Sequence, residues 1–174
     1  MPKKTDKGLK RMRIMGIDPG LATTGYGFVD YQNNQFRVIQ YGVIRTKSKM
    51  PMPDRLKKIN ECMHQLIHQY KPETIAVEEL FFNANTKTAL VVGQARGVVL
   101  LTASLENLPI FEYTPLQVKQ GIAGYGRADK QQVQIMVKTL LNLKEIPKPD
   151  DAADALAIAM CHAHTGNFQN LFKV

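Results

Sequence analysis

Tryptophan is absent from this 174-residue chain, and cysteine occurs only twice, as Cys62 and Cys161. Two cysteines cannot frame a disulfide scaffold, so both read as free thiols in a reducing compartment and the fold must rest on an apolar core. Acid is scarce as well: 15 Asp and Glu stand against 23 Lys and Arg, a formal net charge of +8. That balance favours a polyanionic partner such as nucleic acid. No apolar run approaches the roughly 20 residues of a membrane-crossing helix. The first residues, MPKKTDKGLKRMR, are charged rather than apolar, so neither a secretory signal nor an anchor is expected. These absences predict a soluble cytoplasmic protein with no membrane partner.

Residues 1–12 read as a flexible basic arm, 13–166 as one folded domain and 167–174 as a short tail. The domain opens with an apolar strand at 13–18, stopped by the turn formers Pro19 and Gly20. Strands at 25–31 and 36–44 follow, joined by Gln32-Asn33-Asn34-Gln35, so the first three strands should form an antiparallel meander. The period then changes. Leu56, Ile59, Met63, Leu66, Ile67 and Tyr70 recur at helical spacing and predict a helix over 55–70 that Pro72 ends. Residues 74–78 are β-branched and apolar, as in a parallel strand covered on both faces. A long helix is predicted over 86–106, apolar nearly all round between Ala89 and Leu101 and therefore expected to be buried. Gly93 and Gly97 on one face of it would admit another backbone, within the fold or across a dimer. A fifth strand at 109–113 and a glycine-rich loop at 119–130 follow. Next come a helix bearing Val133, Val137, Leu140 and Leu141, and an Ala-rich helix over 150–164 closed by Gly166. The order βββαβαβαα describes an α/β fold: a mixed five-stranded sheet with helices on both faces and ligands at the strand carboxyl ends.

Against the basic background, four acids fall where the pattern puts strand ends and a helix start: Asp18 in MGIDPG, Glu78 in IAVEEL, and Asp151 and Asp154 in PDDAADALA. Asp18 alone reads equally well as a turn residue. Glu78 is harder to explain structurally, because an acid closing an apolar strand is costly to desolvate without a cation. Asp151 and Asp154, three apart, share a helix face and need a cation to offset their repulsion, whereas Asp150 reads as a helix cap and Glu79 as a surface acid. Four carboxylates from three elements suit two Mg²⁺ ions, which prefer oxygen ligands and promote phosphodiester hydrolysis.

Lys119, Arg127 and Lys130 flank Gly121, Gly124 and Gly126, a positive loop suited to closing on phosphates or to serving as a solvated connection. Of Phe81 and Phe82, one reads as core and the other as a base-stacking residue. His64 and His68, and the group Cys161, His162 and His164, look like zinc fragments but lack partner pairs at proper spacing, so they read as structural or surface residues. Two other readings remain open. Gly16-x-Asp18-x-Gly20 with Gly25 and Gly27 is similar to the phosphate hairpin of actin-like and sugar-kinase ATPases, although those need two such domains. A non-catalytic DNA-binding module, its acids capping helices and turns, is the other.

GIDPGLATTGYG, IAVEELFF, GQARGVVL, FEYTPLQVKQ and DDAADALAIA, in that order, closely resemble the RuvC family of bacterial Holliday-junction resolvases. The likeness spans residues 12–164. It implies an RNase H-like fold and an Mg²⁺-dependent endodeoxyribonuclease whose catalytic, metal-holding acids are Asp18, Glu78, Asp151 and Asp154, with Mn²⁺ able to substitute. Lys119 and Lys130 would be its basic catalytic-loop residues and Phe81 its base-stacking aromatic. Some members carry histidine at the last acidic position, where this chain has Asp154. The resemblance further implies a homodimer facing four-way junction DNA, paired symmetric nicks leaving 5′-phosphate and 3′-hydroxyl ends, and RuvA and RuvB, the branch-migration proteins, as partners.

Overall fold

The computed structural model describes residues 10–80, 86–165 and 173–174. Among these, strands β1 (Met12–Asp18), β2 (Thr23–Gln32), β3 (Gln35–Arg45), β4 (Thr74–Glu78) and β5 (Ile110–Tyr113) form one sheet in the order β3-β2-β1-β4-β5. The helices are α1 (Met52–Tyr70), α2 (Thr86–Leu105), α3 (Pro115–Ala123), α4 (Lys130–Leu140) and α5 (Asp150–Thr165). β1 pairs antiparallel with β2 and parallel with β4, and β4 pairs parallel with β5, which is the mixed sheet expected from the sequence. The β2–β3 hairpin turns on Asn33 and Asn34, whose left-handed φ values of 51° and 60° suit a two-residue turn matched to the strand twist. β1 begins at Met12, one residue inside the segment read as an arm, and α1 begins at Met52 rather than Arg55 because prolines are tolerated in a first helical turn.

Alternation along the strands builds two cores. Ile14, Val29, Ala76 and Phe111 face α3, α4 and α5, meeting Val118, Val133, Val137, Leu156 and Met160. Met15, Ile17, Phe28, Ile75 and Val77 face the other way, onto Ile59, Met63 and Ile67 of α1 and Ala95, Val99 and Ala103 of α2. Full burial of each large aliphatic side chain is worth about 1.5–3 kcal/mol, so both layers are held mainly by the sheet's apolar alternation.

Two expectations are corrected. Helix α2 is not buried all round: Ala95, Val99 and Ala103 line the core, while Leu90 and Leu101 on its outer side are 67% and 57% exposed. Among the described residues, a Cβ added at Gly93 or Gly97 would meet nothing within 4 Å, so these glycines serve no close approach to them. Lys87–Leu105 is long and apolar enough to cross a membrane by length and composition alone (19 residues, mean hydropathy 1.5), contrary to the absence read from the sequence. Its Ala95–Val99–Ala103 stripe is nevertheless a wall of the sheet core.

The segment read as a glycine-rich loop is half helix. Thr114 caps α3 by accepting from the Gln117 N–H at 3.1 Å, and the Gln117 side chain accepts in return from the Thr114 N–H at 2.7 Å, with Pro115 in the first turn. Gly124, at φ 83°, ends the helix, which leaves residues 124–129 as the loop.

Candidate active site at the strand carboxyl ends

Parallel pairing of β1 with β4 sets Ile17 opposite Val77, so Asp18 and Glu78, one residue further on, leave the sheet side by side at its carboxyl edge. Helix α5 delivers the other two acids. A Cβ on Gly16 would lie 2.0 Å from the Ala155 carbonyl oxygen, one on Gly25 2.0 Å from the Asp151 carbonyl oxygen, and one on Gly27 2.7 Å from Leu156 Cδ2. Glycine at these positions lets the backbone of α5 lie directly on β1 and β2, which carries Asp151 and Asp154 to the end of β1. Buried alanines 152, 153 and 155 complete the close fit. Gly16, Gly25 and Gly27 therefore pack a helix while Gly20 sits against the Thr23 carbonyl oxygen in the turn, and the phosphate-cradle reading gives way to a positioning role.

The electrostatics follow from the crowding. Burial pushes the Asp18 carboxyl up to about 8, and Glu78, Asp154 and Asp151 push in the same direction. Glu78 is raised by burial and then by Asp154, and Asp154 is raised by burial despite Lys130. One side-chain cation is drawn in: Lys130 Nζ lies 3.2 Å from both Asp154 Oδ2 and Asp150 Oδ2. One ammonium does not balance this group. The donors are all carboxylate oxygens, half-buried and mutually repelling, which is the donor set and the charge demand that a hard divalent cation meets.

The basic residues separate. Lys119, on α3, and Lys130, at the start of α4, line a cavity of about 170 Å³ with Glu78 and Asp154, over an apolar floor that includes Val118, Val133 and Ile158. Arg127 is exposed on the 124–129 loop and does not line that cavity. Phe81 and Phe82 lie outside the described residues. Asp150, read as a cap, turns out to share Lys130, and Glu79 is exposed as expected. Cys161, His162 and His164 go to separate partners: Cys161 donates to the Gln117 carbonyl oxygen, His162 Nδ1 meets Tyr113 Oη at 2.6 Å, and His164 Nδ1 meets the Gly121 carbonyl oxygen at 2.8 Å. What sequence reasoning missed is Gly25 as a positioning residue. Its signal was the Gly-x-Gly of β2 matched by an alanine-rich helix.

The family model described as crossover junction endodeoxyribonuclease RuvC matches residues 14–162. The chain is 63% identical over 163 residues to the crossover junction endodeoxyribonuclease RuvC of Alkaliphilus oremlandii, covering 94% of this chain and 99% of that one. To the protein of that name from Halothermothrix orenii it is 61% identical over 154 residues, covering 88% and 93%. Among solved structures, T. thermophilus RuvC in complex with a Holliday junction substrate superposes with a TM-score of 0.89 at 38% identity, over 94% of this chain and 99% of that one.

Proposed function

The chain belongs to the RuvC family of crossover junction endodeoxyribonucleases, hydrolases acting on DNA, and we propose that it resolves Holliday junctions at the cluster of Asp18, Glu78, Asp151 and Asp154. The observation that carries the assignment to these residues is that the β1–β4 register sets Asp18 beside Glu78 while α5 brings Asp151 and Asp154 near enough to push the Asp18 carboxyl up. In this reading the four carboxylates hold two Mg²⁺ ions, with Mn²⁺ able to replace them. When bound, such ions polarise the scissile phosphate and make water nucleophilic at neutral pH.

The chain's own residues do the rest. Asp18 and Glu78, fixed on neighbouring strands, set the position of the cation site relative to the sheet; Asp151 and Asp154 close it from α5. Lys130 is held beside Asp154 by charge, and from there its ammonium would face the phosphate and stabilise the charge that develops on its oxygens. Lys119 lies across the cavity and would hold the backbone next to the cut. Arg127, exposed on its loop, would contact phosphate further out, and Phe81, three residues past Glu78 in the sequence, would stack on an unpaired base.

We further propose a cytoplasmic homodimer that places two such sites on opposed strands, nicks them symmetrically to leave 5′-phosphate and 3′-hydroxyl ends, and works with RuvA and RuvB during recombination and repair. Residues 13–166 would form the nuclease domain. Support for self-association is the outer side of α2, where Leu90, Leu101 and Leu105 are exposed beside two glycines that leave room for a second backbone. The test is cleavage of a labelled mobile four-way junction with Mg²⁺, with Mn²⁺ and with chelator. Paired nicks at symmetric positions, dependent on the metal, are expected; cleavage unaffected by chelation, or random nicking of linear duplex, would overturn the reading.

A further inference from the structure

We propose that His64, His68 and Glu106 form a second cation site, separate from the nuclease acids, that takes a borderline divalent transition metal such as Zn²⁺. His64 and His68 are four apart on α1 and present their rings on one face, 4.2 Å between centroids. The third donor is supplied by a residue 38 positions away from His68. Glu106, directly after α2, places Oε1 at 2.5 Å from His64 Nδ1 and Oε2 at 3.0 Å from His68 Nε2. One ligand atom from each of the three residues lies within 4.8 Å of the other two. The sequence offered the histidine pair and withheld its partner, which only the packing of α1 on α2 brings in.

The platform is held in place one turn earlier. Asn60 Nδ2 donates to Thr102 Oγ1 at 2.8 Å, linking α1 to α2 four residues before His64 and Glu106. The Glu106 N–H is itself bonded to the Thr102 carbonyl oxygen at 3.1 Å. The two imidazoles are 55% and 60% exposed, so an ion can reach them without unfolding, while the Glu106 side chain is 19% exposed. Two nitrogen donors and one oxygen select Zn²⁺, Co²⁺ or Ni²⁺ over Mg²⁺, and three protein ligands leave a fourth position for water. The site lies at the opposite edge of the sheet from the nuclease: α1 ends at Tyr70 just before β4 starts, and Glu106 precedes β5, whereas Asp18 and Glu78 end their strands. An ion here would clamp α1 to α2 without touching the acids.

The untagged full chain, freed of metal and then held in excess Mg²⁺ to occupy the carboxylates, is titrated with Zn²⁺ by calorimetry. One Zn²⁺ per chain at micromolar affinity is expected, with a rise in Tm of roughly 5 °C at saturation. His64→Gln/His68→Gln should lose more than about 100-fold in Zn²⁺ affinity while keeping its far-ultraviolet circular dichroism. Co²⁺ in the wild-type chain should give the intense visible bands of four-coordinate geometry. No Zn²⁺ uptake by the wild type, equal uptake by the double variant, or a six-coordinate Co²⁺ spectrum would each overturn the proposal.

Discussion

Asp18 and Asp30 stand at opposite ends of one antiparallel ladder, Asp18 across from Gly25 and Asp30 across from Arg13. Both are shielded from water, yet their carboxyls are driven in opposite directions. Asp30 is held below the usual carboxylate range by the Arg13 guanidinium, whose Nε and Nη2 donate to its two oxygens at 2.7 and 2.9 Å, with Arg11 adding charge from 3.5 Å. Asp18 is pushed up to about 8, by its burial first and then by the neighbouring acids Glu78, Asp154 and Asp151. Arginine presents the planar fork that a carboxylate matches, so the Asp30 end is complete in itself. The Asp18 end is a crowd of carboxylates with Lys130 paired to one of them, the charge demand on which the proposed cation site rests. One end of the ladder is therefore built for stability, and the other trades stability for a site.

The sharpest way to break that contrast is to neutralise each acid in turn. Asp18→Asn should lower metal-dependent nicking by at least about 10²–10³-fold while leaving junction binding intact, as judged by gel shift and cleavage on the same labelled substrate. The same change should raise the urea midpoint at pH 7. The sign follows from linkage: the folded Asp18 carboxyl titrates higher than in the unfolded chain, so its burden is small below the unfolded value near 3.9 and grows as pH rises towards 8. A stabilised, inactive Asp18→Asn separates function from folding; an unstable one would make Asp18 a structural residue. At the other end, Arg13→Met leaves a buried charge with the more distant Arg11 and Arg37 to offset it and should cost about 3 kcal/mol in urea unfolding. Nicking by the folded fraction should persist. Equal loss of activity and stability in Arg13→Met would erase the distinction.

The next effect is smaller and tests how the acids are positioned. A methyl at Gly25 cannot coexist with the Asp151 carbonyl oxygen at 2.0 Å, so Gly25→Ala must lift the start of α5 off β2. A stability loss of about 1–3 kcal/mol is expected, together with a fall in nicking well below the melting range that exceeds it, up to about 10²-fold, because the acids lose register with one another. Activity that merely tracks the folded fraction would show that α5 placement is not limiting.

Much of this was legible in the chain because periodicity and punctuation act locally. Thr74–Glu78 reads as a strand from β-branching alone, and Asn33-Asn34 reads as the turn that it forms. The four acids were legible as strand ends and a helix start. α3 was obscured by Gly121 and Gly124, although Thr114-Pro115-Leu116-Gln117 carries the capping-box spacing and would have disclosed it. α2 misled for a different reason: composition cannot say which side of an apolar helix meets the sheet, and only one stripe does. Glu106 was beyond reach, since nothing local links a residue after α2 to histidines on α1. Nor does a glycine in a strand announce which helix will lie on it.

The smallest expected effect concerns a third buried group, which carries no charge at neutral pH. His162 is fully buried against Phe111 and Tyr113, and burial lowers it to about 4. Burial also raises the Tyr113 hydroxyl to about 12, so the phenol keeps its proton beside His162 Nδ1. The depressed base contributes stability that is fully present above the unfolded histidine value near 6.5 and is lost as pH falls towards 4, because the unfolded chain then binds a proton that the folded chain refuses. Between pH 7 and 5.5 the wild type should lose about 1 kcal/mol relative to His162→Gln, whose amide can still hydrogen-bond Tyr113. Taking the difference between the two profiles cancels the opposing contribution of Asp18, which both proteins keep. Parallel profiles in urea unfolding would mean that His162 titrates alike in both states and that its burial is no barrier to charge. Divergence over that window, with nicking at pH 7 unchanged, would put His162 with Asp30, among the buried groups satisfied from within the fold, and leave the cluster around Asp18 as the place where this sheet waits for a partner.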